Sequence, residues 1–246
     1  MANLLTRDGN NFRVDYLPDG NTHIVEWIDS GDWDGEDKGA WSYSSWRDFT
    51  PVLIPAVPEM SSKAKRAWRN TDTLADLGAA TVRWLEGDID QCPGYCGAVD
   101  VDEPLAPGLT AALVALNRAG IVTYDSQAGM VDGDHVQHAA VKAFADPATV
   151  DSLRRNLPRQ YMVRPLGRSR GYRDVPVTLV CGEAVTSYRW MPKRVISREA
   201  FPGIGKAALA EVYAADQIVI VDPVEGRNTL WADLHRAVAT LNTKAA

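Results

Sequence analysis

The chain of 246 residues is 46% hydrophobic and carries a formal net charge of −6, so it holds enough apolar side chain to bury a core and is not a bulk polycation drawn to nucleic acid by charge alone. No run of about 18 apolar residues is present, so no membrane-spanning helix is expected. Three cysteines are too few for a disulfide scaffold, and a reducing cytoplasm is the expected setting.

The start, Met1-Ala-Asn-Leu-Leu-Thr-Arg-Asp8, lacks a long apolar stretch and predicts no signal peptide. Residues 10–28 read as a β-hairpin. Phe12, Val14 and Tyr16 alternate with polar residues, as do His23, Val25 and Trp27, and Pro18-Asp19-Gly20-Asn21 supplies turn chemistry between them. Residues 29–39, DSGDWDGEDKG, predict a solvated acidic loop. Three prolines in residues 50–62 predict a linker or an extended edge segment. The boundary is placed there, between an N-terminal module over 1–60 and a main domain over 61–246. A helix is predicted over 73–85, with Thr73 and Asp76 forming a box-like cap and Gly87 stopping it. After a Pro/Gly-rich connection over 91–108, a second helix is predicted over 108–119, ended by Gly120, and a strand over 121–125. A further strand is expected over 137–144. Asp146-Pro147 reads as an N-cap followed by Pro at the first helical position, opening a helix to residue 156. Residues 161–166, 175–181 and 184–190 read as strands, 205–214 as a helix and 217–222 as a buried strand. Asn228 or Thr229 caps a final helix to residue 241. Helices and strands mix without strict βαβ order, so the expected fold is α+β: a mixed sheet flanked by helices, with an N-terminal β-hairpin module.

Each candidate chemical motif in the sequence falls short of a known reaction. Cys92-Pro-Gly-Tyr-Cys96 offers two thiols, but a second Cys/His pair at zinc spacing is missing. His135 and His138 would share a face on a helix, whereas in a strand they point to opposite faces, and no Glu accompanies them as in a zinc protease motif. Asp29, Asp32, Asp34, Glu36 and Asp37 are out of register for a calcium loop. The loops Ser126–Gly129 and Pro223–Asn228 follow strands, as ligand loops often do, but neither is a phosphate loop. No nucleophile elbow and no triad is found, and no metal or cofactor is expected.

The net charge hides an uneven distribution. Residues 1–58 hold 10 acidic and 4 basic side chains, residues 59–153 hold 14 and 7, and residues 154–198 hold 2 and 11. The basic block contains Arg164, Arg168, Arg170 and Arg173, interleaved with Tyr161, Tyr172 and Tyr188. Two roles fit it: contact with phosphates or an acidic protein face, and internal neutralisation of the acidic 1–153. Arg, Tyr and Trp are the residues that anchor protein interfaces. Trp27, Trp33, Trp41, Tyr161, Arg164, Arg168, Arg170, Tyr172 and Arg173 are therefore the candidate partner-binding residues.

Several phrases resemble a known family: Trp68 with Thr73-Leu-Ala-Asp-Leu77, Trp84-Leu-Glu-Gly87, Leu105-Ala-Pro-Gly-Leu109, Leu116-Asn-Arg-Ala-Gly120, Ser126-Gln-Ala-Gly129, and Asp222-Pro-Val-Glu-Gly-Arg-Asn-Thr-Leu-Trp231. Together they resemble a domain of unknown function found in Streptomyces, other actinobacteria and their phages, which brings no catalytic residues to transfer. By length, N-terminal module and this signature, the whole chain is similar to the large recombination directionality factors of Streptomyces temperate phages that use a serine integrase. That resemblance implies a non-enzymatic protein of the host cytoplasm. It would bind the integrase, at its coiled-coil region, on attachment-site DNA, with little or no DNA binding of its own and no membrane association. It would promote excision (attL with attR) and inhibit integration (attP with attB). Two alternatives remain. One is an enzyme acting on a nucleotide or nucleic acid, with Asp125, His135, His138 and Arg227 as polar groups where the 126–129 and 223–228 loops converge. The other is an inhibitor of a host defence protein that uses the acidic, Trp-bearing loop as bait.

Overall fold

Three helix starts in this chain, at Ser61, Thr73 and Asp146, are specified by short-range side-chain chemistry in the computed structural model. It describes residues 3–7, 10–16, 22–28, 52–55, 60–93, 103–167 and 174–244, with backbone alone for the segments before Met60 and for residues 199 and 242–244. The chain divides into two compact units, Met1–Glu59 and Met60–Ala246.

In the first unit the expected hairpin is present as β2 (Asn10–Tyr16) and β3 (Thr22–Ile28), paired antiparallel with Phe12 opposite Trp27 and Val14 opposite Val25. It is the centre of a larger sheet. β1 (Asn3–Arg7) adds to β2, and β4 (Val52–Pro55) adds to β3 at the far edge. The proline-bearing segment is thus an edge strand, where a missing N–H costs no ladder bond.

The second unit opens with α1 (Ser62–Arg69), which apolar periodicity does not predict. Ser61 caps it, accepting from the Ala64 N–H at 3.1 Å, and the helix is held by Trp68, whose buried indole N–H donates to the Gln91 carbonyl at 2.9 Å. α2 (Leu74–Leu85) has the predicted capping box. The Asp76 N–H donates to Thr73 Oγ1 at 3.0 Å and the Thr73 N–H to Asp76 Oδ2 at 3.0 Å. Gly87 follows its C-cap at φ +83°. α3 (Leu109–Arg118) starts at Gly108, which has no side chain to cap with. Glu103 does so from a distance, accepting from the N–H groups of Gly108 at 2.8 Å and Thr110 at 2.7 Å. Burial works to raise the Glu103 pKa, but these bonds outweigh it and hold the carboxyl below its ordinary value.

β5 (Val122–Gln127) leads into a short hairpin, β6 (Met130–Asp132) and β7 (His135–Gln137), before β8 (Ala140–Ala145). The expected strand at 137–144 therefore starts later, and the loop before it contains a hairpin of its own. α4 (Pro147–Asn156) has Pro in its first turn and Asp146 as cap, accepting from the Thr149 N–H at 3.0 Å. β9 (Met162–Leu166), β10 (Val175–Val180) and β11 (Glu183–Tyr188) follow. β10 and β11 are joined through Cys181 and Gly182, both at positive φ (52° and 82°), the backbone of a type I′ hairpin. α5 (Lys193–Val195) runs into a π-helical turn at Ile196–Ala200, then come α6 (Lys206–Ala214), β12 (Asp216–Val221) and α7 (Thr229–Lys244).

The fold of this unit is α+β. The expected mixed sheet resolves into two antiparallel ones, ordered β5-β8-β12-β9 and β11-β10-β7-β6. Among the described strands every ladder is antiparallel. β5 reaches β8 through the β6–β7 hairpin alone, and a parallel pair would need a crossover helix there. One face of the first sheet packs on α3, α4 and α7 through Val141, Ala143, Ile218 and Ile220. The opposite face is shared. Phe144 and Val122 meet α1, α2, α6 and the π-helical turn, while Ala140, Val219 and Val221 meet Val175, Val177 and Tyr188 of the second sheet and its approach.

Gly205 caps α6 against the end of α1. A Cβ there would lie 1.7 Å from the Thr71 carbonyl oxygen. Gly205→Ala is expected to cost about 3 kcal/mol or more, as overpacking against rigid backbone does. A urea midpoint by circular dichroism within error of the wild type would contradict this packing.

Candidate functional site

β12 ends by handing the chain to a polar loop. The Asp222 N–H donates to the Ala139 carbonyl at 2.8 Å, and the Asp222 side chain has no exposed surface. A buried carboxylate needs compensating donors. It accepts from the Val224 N–H at 3.0 Å and from Arg227 twice, Nε at 2.7 Å and Nη2 at 2.6 Å. The Arg227 guanidinium lies 5.8 Å over the Tyr161 ring. The Tyr161 hydroxyl donates to Asp233 of α7 and lies 3.0 Å from Thr229 Oγ1. Burial first, and then the bond to Asp233, hold the phenol above its usual pKa.

The next residue closes the site. Asn228 Oδ1 accepts from the Gly129 N–H at 2.7 Å, and Asn228 Nδ2 donates to the Gly129 carbonyl at 2.8 Å. The side-chain amide thus mimics a strand partner for one glycine. The Trp231 indole N–H donates to the same Oδ1 at 3.2 Å. A Cβ on Gly129 would lie 2.6 Å from the Arg227 carbonyl oxygen, so the approach requires glycine. The two loops singled out in the sequence do converge. They meet in direct contact, through the two bonds between the Asn228 amide and Gly129. The 126–129 loop is also shorter than expected, because Ser126 and Gln127 belong to β5.

The other predicted groups are dispersed. Tyr161, expected on a partner-facing surface, is only 6% exposed and its hydroxyl is bonded to α7. Tyr188 is likewise buried, in the second sheet. Arg164 is half-buried on β9, in register with Val219. Trp27 lies on β3 in register with Phe12. Trp33, Trp41, Arg168, Arg170, Tyr172 and Arg173 lie outside the described residues. Cys92 is buried, Cys181 is exposed, and Cys96 lies outside the described residues. His135 is in register with Val180 and with Asp132 across its two ladders. The His138 N–H donates to the Val177 carbonyl at 2.9 Å. Among the described residues no group of three or more His, Cys, Asp or Glu could hold a metal ion.

A charged residue not singled out in the sequence stands in the middle of the sheet. Lys142 of β8 is 5% exposed, with its ammonium 5.6 Å over the Tyr124 ring. The ladders place it between Asp125 of β5 and Val219 of β12, with Arg164 beyond. Burial pushes its pKa down to about 8, opposed in part by the charge of Asp125. The available signal was Lys142 as the single polar residue in the apolar run Ala-Val-Lys-Ala-Phe-Ala.

The profile of a family described as a domain of unknown function (DUF6919) matches residues 63–241. The chain belongs to that family. The DUF6919 match begins inside α1 and ends inside α7, and so takes in the Asp222–Asn228 loop, Gly129 and Lys142. No curated protein matches the chain.

For this DUF6919 member, Asn228→Ala removes two bonds between the start of α7 and the β5–β6 turn, together with the acceptor of the Trp231 indole N–H. It is expected to cost about 2 to 3 kcal/mol in chemical denaturation, because the Gly129 N–H is left without its acceptor. A loss below about 0.5 kcal/mol would show that the clamp is dispensable. Lys142 makes a pH prediction. Between about pH 8 and the ordinary lysine value of about 10.4, the unfolded chain holds a proton that the folded chain has released. Stability should therefore rise with pH across this window. Lys142→Met should raise stability at pH 7 by about 1 to 3 kcal/mol and flatten that rise. Parallel pH profiles for the two proteins would refute the assignment.

Proposed function

We propose that this protein is a non-enzymatic recombination directionality factor of the host cytoplasm. It binds a phage serine integrase, at the coiled-coil region, on its attachment sites. The reading begins from the resemblance of the whole chain to such factors. The observation that carries it is the state of the converged loops. Asp222, Arg227, Asn228 and Tyr161 are all bonded to the protein itself, and the Asn228 amide fills the contact between the loops. A partner protein needs no open site there. It needs surface anchors and a scaffold that does not yield.

The physical action is a population shift. The integrase arms pair productively or are held apart, depending on the sites bound, and a protein biases that choice by its differential affinity for the two arrangements. A difference of about 3 kcal/mol changes their ratio more than a hundredfold. Acidic net charge suits recruitment through protein, since direct DNA affinity would need a larger surplus of cations. No helix of the described residues is long and apolar enough to cross a membrane.

The second reading, an enzyme acting on a nucleotide or nucleic acid, is favoured by the convergence of the 126–129 and 223–228 loops. It would require the Asn228 clamp to open for substrate.

Reconstitution with the cognate integrase separates the two. With purified integrase and attachment-site DNA, addition of the protein is expected to make attL with attR recombination proceed and to suppress attP with attB. If neither reaction responds, the directionality reading is wrong. Capture of a host protein in place of the integrase would instead favour an inhibitor of host defence.

A further inference from the structure

A cavity of about 370 Å³ opens where β11 hands the chain to α5, against the starts of β12 and the end of β9. Its volume lies at the small end of the range for ligand sites, about 300 to 1,000 Å³. Leu166, Met191 and Ile196 supply its apolar lining, and Trp190 and Tyr213 its aromatic lining. The remaining lining groups include one cation, Lys193, and one carboxylate, Asp216.

The cavity is held open by rigid parts. Gln217 is buried on β12, and its amide grips the backbone of Met191, accepting from its N–H at 2.7 Å and donating to its carbonyl at 2.8 Å. That pins the segment after β11 to the sheet. Ile196 stands at the start of the π-helical turn, closed by the Phe201 N–H donating to the Ile196 carbonyl at 2.8 Å. π-Helical turns sacrifice regular helix geometry and recur at functional sites. Such pre-organisation lowers the ordering cost of binding.

The segment that follows β11 and contributes to the lining is rich in cations. Arg189, Lys193, Arg194 and Arg198 are all exposed. Asp174 lies 3.9 Å from Arg189, the lining itself holds one cation, Lys193, and one carboxylate, Asp216, and the further cations Arg194 and Arg198 are neighbours of the lining in the chain. The Lys193 ammonium already rests 5.0 Å over the Tyr213 ring, beside the lining an incoming ring would use.

We infer that this cavity receives an aromatic side chain from an acidic segment of a partner protein, with Trp190 and Tyr213 packing on the ring and Lys193 and Arg194 meeting the flanking carboxylates. The inference rests on the reading that the protein works by binding another protein. A buried aromatic anchor within a charged rim is the arrangement that concentrates interface energy, and the positive rim selects a negative partner.

The test uses the full chain and three dye-labelled peptides of about a dozen residues, followed by fluorescence anisotropy. One is glutamate-rich with a central Trp, the second has Ala in place of that Trp, and the third has Lys in place of the glutamates. The Glu/Trp peptide is expected to bind, with the other two at least about tenfold weaker. Lys193→Glu and Arg194→Glu, both on exposed side chains, should each weaken the Glu/Trp peptide by about tenfold or more. Trp190→Ala should do the same, with circular dichroism reporting whether it folds. The assignment is overturned if the wild type does not bind the Glu/Trp peptide, if the Ala peptide binds equally well, or if neither charge reversal changes the affinity. AMP binding that is lost in Lys193→Glu, with no peptide binding, would make the cavity a nucleotide site and overturn it as well. Peptide binding is independent of the integrase, so failure here leaves the recombination result standing, and failure there leaves this one standing.

Discussion

Strand β12 has no wet side, and the second unit is arranged around that constraint. Ile218 and Ile220 pack on α3, α4 and α7, while Val219 and Val221 pack against the second sheet. β8 and β9 pair with both of its edges. A strand buried on both faces and both edges leaves its backbone no water to fall back on, so every N–H and C=O must be met by a neighbouring strand. It also forces the chain to leave the strand abruptly, and the polar loop at 222–228 results. Asp222, pulled out of water by the strand it follows, requires Arg227. Arg227 in turn spreads over Tyr161, and Tyr161 ties to α7.

Two buried charges illustrate how differently such groups are accommodated. Asp222 is matched by a bidentate guanidinium and a backbone N–H. Lys142 has an aromatic face and the charge of a cross-strand carboxylate, and burial lowers its pKa instead. The first arrangement stabilises a loop. The second carries a standing cost at neutral pH, at the centre of a sheet where an apolar side chain would pack. Lys142 faces the junction between the helical cover and the second sheet, since its neighbours on the same face, Phe144 and Ala140, belong to those two clusters.

The local signals were legible because they act over a few residues. Thr73 with Asp76, Asp146 with Pro147, and glycines after α2 and α3 define helix ends without reference to the rest of the fold. α1 was not legible, because Trp68 is its main buried apolar anchor and that anchor depends on Gln91, 23 residues away. The β6–β7 hairpin was not legible either. Its three-residue strands are too short for alternation to register, and they exist because β10 pairs with β7. The loops at 126–129 and 223–228 both follow strands, which the sequence alone shows. Whether they enclosed space or filled it depended on the aim of one amide, Asn228.

The sequence by itself determined the class of the fold, the caps of α2 and α4 and the apolar run of β12, since each is set by neighbours within about one turn or one strand. Only the tertiary structure decided what the polar residues do. It committed Tyr161 and Arg227 to the scaffold, buried Lys142 in a sheet, let Glu103 cap a helix across a connection, and opened a cavity beside Trp190. The reason is physical: burial, pairing and pKa are properties of surroundings, and surroundings are assembled from residues far apart in the chain.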